Sequence, residues 1–293
     1  MGAGMSYDLA GHSVRRIGFG AMQLPRLADD PAAAHTLLRR AVELGIDHVD
    51  TAQFYGDGLA NRFLREAIRP EDGVLIVSKV GGDPDPGGTP PIRSAQRPEQ
   101  LRASVHDNLR SLGLDRIPLV NLRRMDDGPI RAHGDQVVDV DDQIAEMVAM
   151  RDEGLIGAIG LSSVPLETVR RALPAGIACV QNSYSLLDRT HEDILELCTA
   201  EGIAWVPYFP LGSAFAELPN VTDAPAVIAA AEHMACSPAQ VGLAWLLQHA
   251  PNVLLIPGTA DVAHLEANVA TEDVLLDRAT ITELDAIAAP AVG

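Results

Sequence analysis

Residues 46–79 read IDHVDTAQFYGDGLANRFLREAIRPEDGVLIVSK, and this stretch contains the repeating unit of the chain. An apolar run of strand length, IDHVD, is followed by a loop, by a segment with apolar residues at three- and four-residue intervals, and by a second apolar run, VLIVSK. Such intervals predict an amphipathic helix, and near-continuous apolar runs predict strands covered on both faces. The stretch is therefore predicted to form a strand–helix–strand unit of a parallel sheet.

The same unit recurs along the chain. The candidate strands are IGFGAMQL from Ile17, IDHVD from Ile46, VLIVSK from Val74, IPLVNLR from Ile117, IGAIGLS from Ile156, ACVQNS from Ala178, AWVPYF from Ala204 and VLLIP from Val253. The segments of helical period between and after them are PAAAHTLLRRAVELG from Pro31, GLANRFLREAIRP from Gly58, RPEQLRASVHDNLRSLG from Arg97, DVDDQIAEMVAMRDEG from Asp139, PLETVRRAL from Pro165, HEDILELCTAEG from His191, SPAQVGLAWLLQHA from Ser237 and ADVAHLEANVA from Ala260. Eight strand–helix pairs predict a closed (β/α)8 TIM barrel, with residues 1–293 forming one domain.

An open, doubly wound sheet is the alternative fold. It is disfavoured because no GxGxxG follows the first strand, and GLIGAIG after Glu153 has the wrong spacing and leads into a strand. Tyr7–Leu9 and Ser13–Arg16, which flank Gly11, predict a β-hairpin that plugs the N-terminal end of the barrel. The tail DRATITELDAIAA predicts an extra C-terminal helix, and GGDPDPGGTPP after Val80 predicts a long loop that is either functional or mobile.

Composition excludes several classes of function. A formal charge of -18 disfavours nucleic acid and anionic membranes as partners. The three cysteines are far apart and the nine histidines are scattered, so neither a disulfide framework nor a metal site is predicted. No apolar run reaches the length of a membrane span, and the first residues lack the apolar core of a secretory signal. We expect a cytoplasmic protein that is a monomer or a weak homo-oligomer.

Three reactive side chains fall where a barrel of this type carries its active site. Asp50 ends the second strand, Tyr55 lies in the following loop, and Lys79 ends the third strand, so the C-terminal ends of neighbouring strands bring them together. A buried ammonium needs a carboxylate partner, and it also favours the phenolate form of a nearby tyrosine, which suits proton transfer. Taken singly, Lys79 could instead extend to solvent, Asp50 could cap a loop, and Tyr55 could be a surface aromatic.

At this point the sequence resembles a known family. The segments HVDTAQFYGDG, LIVSKVG, GLSSV, VQNSYSLLDR, WVPYFPLG and IPGTADVAHLEANV together resemble the aldo-keto reductases, and the similarity runs from about Ile17 to Asn268. The resemblance implies that NADPH lies across the barrel mouth and gives a hydride to a carbonyl, while Tyr55 donates the proton, tuned by Lys79 and Asp50. It also implies a set of cofactor-binding residues: Ser162, Ser163 and Gln181 at the carboxamide, Tyr208 under the nicotinamide ring, Leu211, Gly212 and Ser213 at the pyrophosphate, and Gly258, Thr259, His264 and Asn268 at the adenosine phosphate and adenine.

Two positions depart from the family pattern. The family usually has a histidine at the end of the fourth strand, where this chain has Arg123; a guanidinium could only be a fixed donor to a carbonyl or an anionic substrate oxygen. The alternative for Arg123 is a salt bridge to Asp126 or Asp127. The pattern around it is similar to a bacterial branch of pyridoxal reductases, so pyridoxal is the expected substrate. Gly258 stands where many relatives have a Lys or Arg for the 2'-phosphate, which leaves His264 or a loop arginine to favour NADPH over NADH.

Two other functions remain compatible with the sequence. One is an NADPH-binding redox sensor with little or no turnover, which the missing histidine favours and the intact Asp50, Tyr55 and Lys79 disfavour. The other is an unrelated barrel that uses Lys79 as a Schiff base, which would leave the cofactor segments without a role.

Overall fold

The computed structural model describes residues 6–126, 131–212 and 219–287. Its strands are β1 (Ser6–Leu9), β2 (His12–Arg15), β3 (Phe19–Gly20), β4 (His48–Asp50), β5 (Leu75–Val80), β6 (Gly82–Pro84), β7 (Ile92–Ser94), β8 (Ile117–Arg123), β9 (Ile156–Ser162), β10 (Ile177–Gln181) and β11 (Ala204–Trp205). Its α-helices are α1 (Pro31–Glu43), α2 (Leu59–Ala67), α3 (Pro98–Leu112), α4 (Val140–Asp152), α5 (Leu166–Ala172), α6 (Glu192–Glu201), α7 (Pro225–Met234), α8 (Pro238–His249), α9 (Val262–Val269) and α10 (Arg278–Asp285).

The central sheet is parallel and curls into a closed barrel. Seven strands lie in the order β11-β10-β9-β8-β5-β4-β3. Residues 253–255 join its two edges, because Val253 pairs with Trp205 and Leu255 pairs with Ile17, both in parallel. At this seam the Gly18 amide donates to the Leu255 carbonyl over 2.8 Å. The predicted (β/α)8 barrel is confirmed.

Two separate cores follow from the alternation of side chains along the strands. On β5, Leu75 and Val77 point into the barrel, whereas Ile76 and Val80 pack outward against the helices. The interior core contains Leu9, Val14, Leu75, Val77, Leu119, Cys179, Ala204, Val206 and Leu254. The larger outer core fills the space between sheet and helices, and the polar side chains of the site occupy the interior positions above the apolar ones.

The ends of the first helix agree with its sequence signals. The side chain of Asp30 accepts a hydrogen bond from the Ala33 amide over 3.1 Å, and Pro31 occupies the first turn, where its missing N–H costs no helical hydrogen bond. After the helix, Gly45 has a φ of 87°, a conformation that glycine adopts without steric cost.

Both segments outside the barrel repeat are confirmed. The antiparallel pair β1 and β2 places Leu9 and Val14 in the interior core, and the Tyr7 hydroxyl donates to the Gly202 carbonyl over 2.9 Å, so the hairpin closes the bottom of the barrel. The C-terminal helix α10 begins after Asp277, whose side chain accepts from the Thr280 amide.

Several expectations were wrong in detail. The predicted strand AWVPYF is reduced to Ala204–Trp205, and VLLIP contributes only single bridges at Val253 and Leu255. The first strand is short, because Ala21–Leu27 forms a 3-10 helix instead of continuing IGFGAMQL. The stretch after Val80 contains the antiparallel pair β6 and β7 rather than loop alone. Helix α7 was not predicted; it precedes α8 and packs against it.

Candidate active site

The candidate site lies at the C-terminal ends of the barrel strands. Strand pairing places Asp50 beside Val77 and Lys79 beside Asn121, so Asp50 and Lys79 enter the barrel mouth from neighbouring strands. Both side chains are buried, with 4% of each side chain exposed. Parallel strands bring their reactive ends to one face, as the sequence predicted.

Lys79 connects the two other members of the predicted trio. Its ammonium contacts an oxygen of Asp50 in an ion pair and donates to the Tyr55 hydroxyl over 3.1 Å and to the Thr51 carbonyl over 3.2 Å. Burial alone would lower the pKa of Lys79, but the adjacent Asp50 carboxylate and Tyr55 phenol hold this pKa above its usual value. Lys79 is therefore charged at neutral pH and faces the phenol oxygen.

Gln181 extends this group across the barrel. Its amide nitrogen donates to the second carboxylate oxygen of Asp50 over 2.7 Å, a contact that the sequence did not predict. On the adjacent strand, Ser162 lies beside Gln181 in the strand register. The Gln181 amide oxygen and the Ser162 hydroxyl are both buried without a hydrogen-bond partner in the described residues. Such unpaired buried atoms are costly, and they mark a place suited to a polar ligand.

Arg123 ends β8 beside Ser162. Its guanidinium lies 6.0 Å from the ring centre of Tyr208, and its Nε atom is buried without a partner. The suggested salt bridge to Asp126 is wrong, because that carboxylate pairs with Arg124 at 2.5 Å. Within the described part of the chain no carboxylate neutralises Arg123, and Asp127 lies outside it.

Ser163 and Tyr208 adjoin this cluster. Ser163 has a left-handed φ of 56°, and its hydroxyl lies 3.2 Å from the Tyr208 hydroxyl. The backbone amide of Tyr208 donates to the Asn182 carbonyl over 3.1 Å, which fixes the turn that carries the ring. The structure therefore groups Ser162, Ser163, Gln181 and Tyr208 beside the Lys79 cluster.

The remaining predicted cofactor residues form two further segments. Leu211 and Gly212 follow Tyr208, and Ser213 lies outside the described residues. On the other side, Gly258 packs against the Gly20 backbone at the barrel seam. Thr259 accepts from the Asp261 amide over 3.0 Å. His264 and Asn268 both lie on α9, and the His264 side chain is 79% exposed.

A buried polar network lies behind the site, and the sequence did not predict it. It joins side chains of the loop of residues 51–58, here called the Tyr55 loop, to side chains of α2, β5 and α3. Its members are Thr51, Gln53, Asn61, Ser78 and Asn108. A signal was present, since Asn108 occupies a position of apolar period in α3, between the buried residues Val105 and Leu112. A polar residue at such a position needs a buried partner.

Neither a metal site nor a membrane-spanning helix is found among the described residues. Across residues 6–126, 131–212 and 219–287, no three side chains of His, Cys, Asp and Glu gather where they could share a metal ion. In the part of the chain that the structure describes, no helix combines the length and apolar content needed to cross a membrane.

The barrel fold agrees with the comparisons with known proteins. The model of the Aldo/keto reductase family matches residues 16–289, so the chain belongs to this family of oxidoreductases. It is 40% identical over 292 residues to pyridoxine 4-dehydrogenase of Escherichia coli strain K12, and the aligned region covers 96% of this chain and 98% of that protein. It is 35% identical to the uncharacterized oxidoreductase C215.11c of Schizosaccharomyces pombe, over 93% of this chain and 86% of that protein. The crystal structure of an aldo-keto reductase from Klebsiella pneumoniae in complex with NADPH superposes with a TM-score of 0.82 at 25% identity, over 99% of this chain and 96% of that one.

Proposed function

We propose that the protein reduces an aldehyde or ketone to an alcohol with NADPH as hydride donor, and that Tyr55 is the general acid. The observation that carries this proposal is the buried Lys79 ammonium, which contacts the Asp50 carboxylate and the Tyr55 phenol at once. NADPH, when bound, supplies the hydride that adds to the carbonyl carbon. The protein's own contribution is to hold the carbonyl at the barrel mouth and to supply the proton.

Tyr55 donates its proton to the carbonyl oxygen as that oxygen gains electrons. The negative charge that then develops on the phenol oxygen is stabilised by Lys79 Nζ, which lies 3.1 Å away. Asp50 keeps Lys79 in place and charged, and Gln181 holds the other oxygen of Asp50. The four side chains form one connected hydrogen-bonded unit.

The unpaired atoms of Ser162 and Gln181 fit the carboxamide of a nicotinamide. A carboxamide carries both a donor and an acceptor, so its NH2 can donate to the Gln181 amide oxygen while its carbonyl accepts from the Ser162 hydroxyl. Tyr208 and Ser163 would then border the nicotinamide, with Leu211, Gly212 and Ser213 along the pyrophosphate and Gly258, Thr259, His264 and Asn268 at the adenosine end. The NADPH complex of the Klebsiella pneumoniae protein supports NADPH as the cofactor.

Pyridoxal is the substrate that Arg123 favours. Pyridoxal has an aldehyde beside a phenolic oxygen, and a guanidinium without a carboxylate partner among the described residues suits that anionic oxygen. The name pyridoxine 4-dehydrogenase carried by the Escherichia coli relative supports the same substrate pair. The replacement of the family's usual histidine by Arg123 also favours a second candidate, an NADPH-binding sensor with little or no turnover.

The experiment that tests these functions follows NADPH oxidation at 340 nm with pyridoxal and a panel of aromatic and aliphatic aldehydes. Wild type is compared with Tyr55→Phe and Arg123→His. Loss of the general acid is expected to lower turnover by about 10²–10⁴-fold in Tyr55→Phe. Arg123→His is expected to raise the KM for pyridoxal more than the KM for benzaldehyde. A wild type that binds NADPH tightly yet reduces nothing would leave the sensor as the function.

A further inference from the structure

The buried network of Thr51, Gln53, Asn61, Ser78 and Asn108 surrounds a single amide. The side-chain oxygen of Asn108 accepts from Asn61 over 3.0 Å and from Ser78 over 2.6 Å, and its nitrogen donates to Gln53 over 2.9 Å. The nitrogen also donates to the Ser104 carbonyl over 2.9 Å. Asn108 therefore joins α3 to α2, to β5 and to the loop that follows β4.

The network holds the Tyr55 loop at two points. Thr51 donates to Asn61 over 2.8 Å, and Gln53 both accepts from Asn108 and donates to the Gly82 carbonyl over 2.9 Å. Between these anchors lies Ala52, whose carbonyl accepts from the Tyr55 amide over 3.0 Å. The start of the loop is thus fixed on both sides of the residue that bonds to Tyr55.

The same contacts reach the strand that carries Lys79. Asn108 lies 3.4 Å from the Lys79 carbonyl, and Gln53 bonds to Gly82, three residues further along the chain. Lys79 in turn donates to the Thr51 carbonyl over 3.2 Å. The distance between the Lys79 ammonium and the Tyr55 hydroxyl therefore depends on two backbone segments that this network ties together.

Stability alone does not account for the network. Replacing paired buried polar groups by apolar side chains of the same shape can be nearly neutral for stability, because each buried amide must first lose its bonds to water. What a fully paired network adds is a single defined geometry, since every donor has a fixed acceptor. That property matters where two reacting groups must be held at hydrogen-bond distance.

We infer that Gln53 and Asn108 are positioning residues for proton transfer, which hold the Tyr55 loop against the Lys79 strand from behind the site. The inference rests on the proposed reductase function, since it assigns these residues to the Tyr55 step of that reaction. Neither side chain belongs to the cofactor-binding or substrate-contacting set. Their effect is therefore expected on turnover and not on binding.

The test uses two variants. Gln53→Met keeps the length of the side chain and removes its hydrogen bonds to Asn108 and to the Gly82 carbonyl. Thr51→Val keeps the shape of the side chain and removes its hydrogen bond to Asn61. Gln53→Met is expected to lower kcat for aldehyde reduction by about 10- to 100-fold, because small misplacements of reacting groups have large rate effects. Thr51→Val is expected to lower kcat by about 2- to 10-fold, in line with one hydrogen bond. The KM for the aldehyde and the Kd for NADPH, measured by NADPH fluorescence, are expected to change less than about twofold.

The matched control is Asn252→Leu, on the opposite side of the barrel. Asn252 is also a buried amide, which donates to the Ile203 carbonyl over 2.9 Å and accepts from Thr199 over 2.8 Å. Its loss is expected to lower Tm with kcat unchanged. Amide hydrogen exchange of residues 51–58, followed by mass spectrometry, is expected to accelerate in Gln53→Met and not in Asn252→Leu.

The outcomes separate the two proposals. If wild type reduces no aldehyde, the reductase function fails, whereas the exchange data still report whether the network holds the loop. If wild type is active and Gln53→Met lowers Tm and speeds exchange with kcat unchanged, the network is only structural and the inference is overturned. An equal loss of kcat in Asn252→Leu would overturn it as well.

Discussion

At the scale of single residues, the pair of Lys79 and Asp50 combines high cost with a specific use. Both groups are buried. The free-energy cost of removing a charge from water is offset only by a close partner and further hydrogen bonds. Here the further bonds come from Gln181 to Asp50 and from Lys79 to Tyr55 and Thr51. A pair with such costs is better explained by the need for a fixed positive charge beside the phenol than by stability.

Lys79→Met tests what the Lys79 charge contributes to stability and to turnover. It leaves the Asp50 carboxylate buried without its counter-ion, so the free energy of unfolding is expected to fall by about 3–5 kcal/mol. If Tyr55 is the general acid proposed above, turnover is expected to fall by about 10²–10⁴-fold, because Tyr55 loses the charge that would stabilise its phenolate. Urea unfolding and the NADPH oxidation assay measure the two effects.

The double variant Asp50→Leu with Lys79→Met is the matched control for that experiment. It removes both charges, so most of the lost stability is expected to return while turnover stays low. A double variant as unstable as Lys79→Met alone would contradict the view that the uncompensated Asp50 charge causes the loss.

At the residue scale the sequence predicted the trio of Asp50, Tyr55 and Lys79 as neighbours. Parallel strands converge at one end, so position along the chain was sufficient. The bond from Gln181 to Asp50 could not be predicted in the same way, because it spans the width of the barrel and depends on the directions of two side chains. The same holds for Arg123, whose nearest candidate partner, Asp126, turns to Arg124 instead.

At the scale of elements, helix α1 is tied to the turn that precedes β5. Asp72 accepts a hydrogen bond from the Arg69 amide over 2.8 Å and forms an ion pair with Arg39 on α1. The hydrogen bond from Arg39, with that from the Arg69 backbone, lowers the pKa of the Asp72 carboxyl below its usual value of 3.8. The link therefore joins two neighbouring strand–helix units on the outside of the barrel.

Asp72→Asn tests this link through its pH dependence. Because the folded-state pKa is lower than the unfolded one, the stabilisation is present above the usual pKa of 3.8 and is lost as the pH falls through the folded-state value. Tm of the variant is expected to lie below that of wild type at pH 7, and the difference is expected to shrink in acid below about pH 4.

The control for this titration is Asp152→Asn, at a carboxylate with 70% of its side chain exposed and an arginine 3.7 Å away. Its Tm is expected to follow that of wild type at every pH, since exposed pairs contribute little. A difference between Asp72→Asn and wild type that stays constant down to pH 3 would contradict the assignment.

The sequence did not predict β6, β7 and α7, and there are physical reasons for this. Strands β6 and β7 are three residues each, begin or end beside prolines and glycines, and gain their order from pairing with each other. Helix α7 is rich in alanine, so its apolar period is weak, and it lies in a part of the chain where one helix per strand was already assigned. The long strands β8 and β9 were predicted with the bounds that the structure has, because both consist mainly of apolar residues and are largely buried.

At the scale of the whole molecule, the barrel depends on a narrow seam between β3 and the segment 253–258. The Gly20 backbone approaches the Ile256 carbonyl so closely that a Cβ atom on Gly20 would lie 2.5 Å from the oxygen. On the reverse side a Cβ atom on Gly258 would lie 2.7 Å from the Gly20 carbonyl. The absence of side chains at both positions lets the seam close, which is a packing reason for glycine at position 258.

Gly20→Ala is expected to lower the free energy of unfolding by about 1–3 kcal/mol, because backbone must move to accept the added methyl group. Gly87→Ala is the control, since Gly87 has open space around its Cα. Urea unfolding followed by circular dichroism measures both. Equal stability of Gly20→Ala and wild type would mean that the seam relaxes freely.

The seam also sets the order of events while the chain is being made. Arg16 donates through its guanidinium to the carbonyls of Ala250 and Val253, and Gly18 bonds to Leu255, so these partners of residues 16–18 are synthesised more than two hundred residues after them. On a ribosome, which delivers the N-terminal part first, the early strands must wait with one edge unpaired until residues 253–255 leave the exit tunnel. Until then we expect this edge of the first strand to be unpaired and open to a chaperone.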